Sequence, residues 1–101
     1  MADQEEKKVK GLEDGINNAV AQIINQDGVQ GVVVADSKGL PVVAQGNLGP
    51  DVAGHVHSLF QNAASLSDTN EHPTISIQTN QAQILISHSD GITTAVSKGL
   101  L

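Results

Sequence analysis

The chain has 101 residues, a formal net charge of −6, a single aromatic residue of the Phe, Tyr and Trp class, and neither arginine nor cysteine. A chain of this length forms one domain around one core. The charge disfavours binding to nucleic acid or to an acidic membrane, and a stacking platform for bases is missing. Without cysteine there is no disulfide, thiol nucleophile or cysteine metal site.

No apolar run approaches the ~20 residues that span a bilayer. The N-terminus is charged, which does not fit a signal peptide, and Ala2 occupies the position where myristoylation needs glycine. We therefore expect no direct membrane insertion, so that any attachment to a membrane depends on a partner.

Residues 1–5 are polar and predict a disordered N-terminus, followed by a single domain over residues 6–101. An amphipathic helix is predicted from Glu6 to Gln26, with Gly11 and Gly15 weakening its first turns. Its apolar residues fall on one face: Val9, Leu12, Ile16, Ala19, Val20, Ile23 and Ile24.

A β-branched run from Val29 to Ala35 predicts a strand that is buried on both faces. A tight turn over residues 36–39 then returns the chain along a second strand, Leu40 to Gln45. Because proline donates no hydrogen bond to a ladder, Pro41 predicts that this second strand is at a sheet edge, or at least starts at one.

A second helix is predicted from Gly49-Pro50-Asp51 to about Leu66, before a loop over Ser67–Asn70. Its apolar residues form two stripes. The first, expected to cover the sheet, is Val52, Val56, Leu59, Ala63 and Leu66. The second, expected to meet another surface, is Ala53, Phe60 and Ala64.

Three strands, Thr74–Thr79, Gln83–His88 and Ile92–Ser97, end the chain, with hairpin turns at residues 80–81 and 89–91. If the last strand pairs with the first, the result is an α/β (α+β) fold. It has two helices and a five-stranded antiparallel sheet of order 2-1-5-4-3.

The strand Thr74–Thr79 alternates apolar and polar residues and contains no charge. At a sheet edge it would offer free N–H and C=O groups to a second chain. The alternative is that the loop containing His72 covers it, or that it is simply exposed. The predicted interface comprises Thr74, Ile75, Ser76, Ile77, Gln78 and Thr79 of the strand, with Val56, His57, Phe60, Ala63 and Ala64 of the second helix.

Other candidate sites favour structural interpretations. His55 and His57 are two residues apart on a helix and so do not share a face for a metal. His88, Ser89 and Asp90 are the residue types of a catalytic triad, but adjacent residues in a turn cannot adopt its geometry, and Asp90 fits a turn carboxylate. The loop at residues 46–49 lacks the lysine of a phosphate site. We predict no enzyme activity and no catalytic, cofactor or metal site.

Two segments carry a family resemblance. Residues 31–40, Gly-Val-Val-Val-Ala-Asp-Ser-Lys-Gly-Leu, followed by the turn at residues 46–48, resemble the first hairpin of the roadblock/dynein light chain family. Residues 88–98, His-Ser-Asp-Gly-Ile-Thr-Thr-Ala-Val-Ser-Lys, resemble the end of a roadblock-type subunit of the Ragulator complex. The similarity spans roughly residues 12–98.

The resemblance implies a roadblock fold in which two chains pair through the third strand and second helix. It also implies a non-catalytic scaffold subunit in the cytoplasm at the lysosomal surface. Its expected partners are a second roadblock subunit, as a heterodimer or, in isolation, a homodimer, and a lipid-anchored scaffold subunit. The complex would hold Rag GTPases for amino-acid signalling to the TOR kinase.

Two alternatives belong to other classes. The chain could regulate a small GTPase directly, although without arginine it supplies no arginine finger. It could also be a sensor of small molecules, which would require a pocket.

Overall fold

The structure, a computed structural model, describes residues 15–66 and 72–100. The predicted disordered segment 1–5, the first turns of the helix predicted from Glu6, and the Ser67–Asn70 loop lie outside these residues. Within them, helix α1 covers residues 15–24. A 3-10 turn, Pro50–Val52, leads directly into helix α2, Ala53–Ala64. The strands are β1 (Val29–Ala35), β2 (Pro41–Gly46), β3 (Ile75–Gln78), β4 (Ala82–Ser89) and β5 (Ile92–Gly99).

The five strands form one antiparallel sheet in the order β2-β1-β5-β4-β3, which confirms the predicted fold class and strand order. Strand β3 is shorter than predicted. Thr79 belongs to the following turn, because its hydroxyl oxygen accepts hydrogen bonds from the backbone N–H groups of Gln81 (3.2 Å) and Ala82 (3.1 Å). Thr74 precedes the strand.

The helices cover opposite faces of the sheet. Alternate residues of β1 point to opposite sides, so Val32 and Val34 pack with Val20 of α1, while Val33 and Ala35 pack on the α2 side. The α2-side core consists of Val33, Ala35, Leu48, Ala53, Val56, Ile86 and Ala95. All four β1 residues from Val32 to Ala35 are buried, which explains their uninterrupted apolar sequence.

The segment that leads into α2 passes very close to the backbone of β1 at Gly31. A Cβ atom at Gly31 would lie 2.8 Å from the backbone nitrogen of Leu48 and 2.9 Å from that of Asn47. Only glycine lets the connection after β2 cross β1 this closely. Leu48 thereby reaches the core, and the chain enters the first turn of α2 on the correct face of the sheet.

The predicted division of α2 into two stripes is wrong. Ala53, Val56 and Phe60 are its buried residues, whereas Leu59 is 41% exposed and Leu66, just beyond the helix, is 88% exposed. Residues seven positions apart, such as Ala53 and Phe60, lie on nearly the same side of a helix at about 100° per residue. The side of α2 that carries Ala53 and Phe60 packs on the sheet, and the side that carries Leu59 is exposed.

Candidate functional site: an open sheet edge and the flank of a helix

Strand β3 is an edge of the sheet, and its hydrogen bonds to β4 use only alternate residues. The Thr79 N–H donates to the Ala82 carbonyl (2.8 Å) at the turn that joins the two strands. In an antiparallel ladder the hydrogen-bonded pairs alternate from there, so Ile77 and Ile75 bond to β4. The backbone N–H and C=O groups of Ser76 and Gln78 therefore point away from β4.

The side chains of β3 leave this edge apolar on one face and uncharged on both. Ile75 packs against the core beneath α2, and Ile77 on the same face is 37% exposed. On the other face the Gln83 amide nitrogen donates to the Ser76 hydroxyl oxygen at 2.9 Å. None of the four residues of β3 is charged, and a charged side chain is one of the devices that hinder pairing at an edge.

The opposite edge, β2, is built differently. Its register with β1 shifts between Val34 and Ala35, whose partners are Val43 and Pro41, so that Val42 is a bulge. A bulge and a proline are both devices that hinder pairing at a sheet edge. The two edges are therefore unequal, because β3 has neither a proline nor a bulge.

One flank of α2 is apolar and largely exposed. We call the residues Leu59, Ala63 and Leu66, spaced by four and three positions, the α2 flank. His57 lies on the opposite flank of α2, across the sheet-facing residues. The His57 ring is close to the β1–β2 turn, because a Cβ atom at Gly39 would lie 3.2 Å from it. The α2 flank is therefore turned away from the β1–β2 hairpin.

The structure places the predicted helix residues in two different environments. Val56 is a core residue and Phe60 is only 8% exposed, so both are covered by their own chain. Ala63 and Ala64 are half-buried. His57 is half-buried, and its buried Nδ1 atom has no hydrogen-bond partner. The exposed large apolar groups of this region are Leu59 and Leu66, which the sequence pattern assigned to the sheet.

Sequence reasoning also missed a cluster of aromatic rings. Phe60 of α2 stacks on His88 of β4, with ring centroids 4.1 Å apart and planes at 7°. The His72 ring lies 4.9 Å from that of His88 and 6.0 Å from that of Phe60. These residues are far apart in the sequence, and no local pattern marks them as neighbours.

The surroundings of His88 disfavour its charged form. Its Nδ1 atom lies 3.0 Å from the hydroxyl oxygen of the fully buried Thr93. Burial, reinforced by the nearby His72 and His57, lowers the pKa of His88 below its ordinary value of 6.5.

The β1–β2 turn is held by a carboxylate. Asp36 Oδ1 accepts hydrogen bonds from the backbone N–H groups of Leu40 and Lys38, each at 2.9 Å. These bonds favour the charged form and hold the pKa of Asp36 below its ordinary value. The residue is a turn-stabilising group, in the manner expected of aspartate at the start of a tight turn.

The residues of the supposed triad do not converge. His88 faces α2, while Ser89 follows it on the strand and therefore points to the opposite face. Asp90 occupies the β4–β5 turn at φ 54°, beside Gly91 at φ 80°, as a type I′ turn requires. Within residues 15–66 and 72–100, no three His, Asp or Glu side chains are grouped to hold a metal ion. In the same part of the chain, no helix combines the length and apolarity needed to cross a membrane.

Solved structures define the fold class. The Roadblock/LC7 domain from Streptomyces avermitilis is 19% identical with a TM-score of 0.57, covering 76% of this chain and 71% of that domain. Myxococcus xanthus MglB is 15% identical with a TM-score of 0.69, covering 82% and 69%. An MglB structure with a tetrameric arrangement is 13% identical with a TM-score of 0.67, covering 86% and 72%. The chain therefore has the roadblock/LC7 fold.

The family follows from sequence similarity. Residues 12–98 match the family of the Ragulator complex protein LAMTOR5. A LAMTOR5 homolog from Nematostella vectensis is 31% identical over 88 residues, which are 86% of this chain and 97% of that protein. A homolog from Dictyostelium discoideum is 33% identical over 87 residues, or 86% and 98%. This chain belongs to the LAMTOR5 family of Ragulator complex proteins.

Proposed function

We propose that this chain is a non-catalytic scaffold subunit of a Ragulator-type complex and pairs with a second roadblock subunit through β3 and the α2 flank. The observation that carries the proposal is the contrast between the two sheet edges. β2 is hindered by Pro41 and a bulge, whereas β3 is uncharged and has free backbone groups at Ser76 and Gln78. Family membership supports the same role.

The pairing has two components. Backbone hydrogen bonds from Ser76 and Gln78 would extend the sheet across two chains and set the register. Leu59, Leu66 and Ile77, which are exposed in the single chain, would supply apolar burial beside it. A stable interface of this kind buries roughly 1,500–2,500 Å² in total. The partner is a different roadblock subunit in the complex, or a second copy when the chain is isolated.

The finer assignment rests on the family and on residues 88–98, which resemble the hepatitis B virus X-interacting protein subunit of the Ragulator complex. In this role a lipid-anchored subunit holds the pair at the cytoplasmic face of the lysosome. The assembled complex recruits Rag GTPases for amino-acid signalling to the TOR kinase. The chain contributes surfaces to this process and no catalytic group.

The substitution Ser76→Pro tests the pairing. Proline removes an N–H group that faces the free edge and leaves the hydrogen bonds of Ile75 and Ile77 to β4 intact. We expect Ser76→Pro to weaken association at least tenfold, by sedimentation equilibrium of the chain alone and of its mixture with a roadblock subunit. Ser76→Thr, which keeps the N–H group, is the matched control and should associate like the wild type.

Equal association of the proline and threonine variants would exclude β3 as the pairing edge. Two other substitutions that the sequence suggests, Phe60→Asp and Ile77→Pro, are less informative. Phe60 is buried within its own chain, and Ile77 donates to β4 in the ladder, so both changes would damage the single chain itself.

A further inference from the structure

The His72–Phe60–His88 ring cluster joins three elements at one point. Phe60 comes from α2 and His88 from β4, while His72 lies three residues before Ile75, the first residue of the edge strand β3. His72 is exposed, so its position depends on its contacts with the other two rings. Residues 72–74, which lead into β3, are thereby tied to the body of the domain.

The titratable and polar groups around His88 come from several elements. His72 acts on it from the segment before β3 and His57 from α2. β5 contributes the uncharged hydroxyl of Thr93, and Asp90 follows in the same hairpin. Two imidazolium rings with centroids 4.9 Å apart repel each other, and burial disfavours the charge on His88. Attraction of a charged imidazole to the face of Phe60 acts in the opposite direction.

We propose that the His72–Phe60–His88 cluster is an acid-sensitive latch that holds the segment leading into β3 while the His88 imidazole is neutral and releases it when that ring is protonated. An effect of the latch on pairing between chains rests on the proposed function. An effect of the latch on the stability of β3 within a single chain is independent of the proposed function.

The direction of the pH effect follows from His88. Its pKa is lower in the folded chain than the ordinary 6.5, so the unfolded or released chain binds protons more readily at intermediate pH. The stabilisation by neutral His88 is therefore complete above about pH 6.5. It is lost as the pH falls from there through the lower pKa of the folded form. Acidification should loosen the start of β3.

The test combines NMR titration of the histidine rings with hydrogen exchange of the Ile75 and Ile77 amides, corrected for the intrinsic pH dependence of exchange. In the wild type we expect a His88 pKa below 6.5 and a roughly three- to tenfold fall in amide protection from pH 7.5 to 5.5. His72→Gln removes the repulsion, and His88→Phe keeps a ring on Phe60 without a titrating group. His88→Phe should lose most of the pH effect, whereas His72→Gln should lose part of it, because the burial of His88 remains. His55→Gln, at an exposed position of α2, is the control and should behave like the wild type.

A His88 pKa at or above 6.5, or the same fall in protection in His72→Gln and His88→Phe as in the wild type, would overturn the latch. Exchange is measured at a concentration where the chain is monomeric, so it does not depend on pairing. Failure of the proposed pairing has a separate signature, which is equal sedimentation of Ser76→Pro and Ser76→Thr at pH 7.5.

Discussion

Gly31 shows how one residue can determine the path of the chain far from itself. It lies in β1, an interior strand of the sheet, where the backbone of Asn47 and Leu48 crosses over that strand. A methyl group there would meet backbone atoms, which cannot rotate away as the end of a side chain can. The absence of a side chain at this position therefore keeps Leu48 in the core and α2 on its face.

Gly31→Ala should destabilise the domain by about 1–3 kcal/mol, since the crossing backbone must move to relieve the overlap. Gly15→Ala is a matched comparison, because a Cβ at Gly15 in α1 would meet nothing within 4 Å. There the added methyl group should stabilise the helix by up to about 1 kcal/mol. Urea unfolding of both variants measures the difference. Similar effects of the two substitutions would show that the close crossing has no energetic consequence.

At the scale of elements, α2 has one side buried against the sheet and another that is exposed. Its sheet-facing side is filled by Ala53, Val56 and Phe60, and the Phe60 ring is covered by His88. The α2 flank, including Leu59, has no such cover in the described part of the chain. One helix can therefore stabilise the single domain and still retain apolar area for a partner.

Substitutions at Leu59 and Phe60 should separate these two roles of α2. Phe60→Ala should cost about 3 kcal/mol of folding free energy because it empties a buried site. Leu59→Ser, at a half-exposed site, should change it by less than about 1 kcal/mol. Urea unfolding in the Ser76→Pro background measures both without a contribution from association.

In an otherwise wild-type chain, Leu59→Ser should weaken association by sedimentation equilibrium, because apolar contact area is lost. Unchanged association would remove the α2 flank from the proposed interface. A loss of folding stability as large as that of Phe60→Ala would instead show that Leu59 belongs to the core.

At the scale of the whole molecule, the unequal edges should limit the size of the proposed assembly. A sheet with two open edges would add chains without end, whereas one open edge is consumed when two chains pair. Pro41 and the bulge at Val42 hinder the β2 edge, so growth should stop after the β3 edges have met.

The measured mass of the isolated chain should therefore rise with concentration to that of two chains and no further. Light scattering after size-exclusion chromatography tests this over a range of loading concentrations. Pro41→Thr should leave the plateau at two chains, because the Val42 bulge still interrupts pairing at that edge. A mass that continues to rise in the wild type would show that β2 also pairs.

Much of the fold was predictable because its signals are local. The β-branched run of β1, the proline of β2 and the turn residues between strands each follow from the conformational preferences of a few neighbouring residues. Together they specified the strand order that the structure shows. The side of α2 that meets the sheet could not be chosen in this way, because apolar residues occupy too much of its circumference.

The sequence by itself determined the alternation, the turns and the absence of charge in β3 on which the proposed pairing depends. Only the tertiary structure decided that Phe60 is buried and Leu59 exposed, that Gly31 is crossed by another segment, and that His72 meets His88. The physical reason is the range of the interactions. Turn and strand preferences act between neighbours, whereas these contacts join residues that come together only when the helices pack on the sheet.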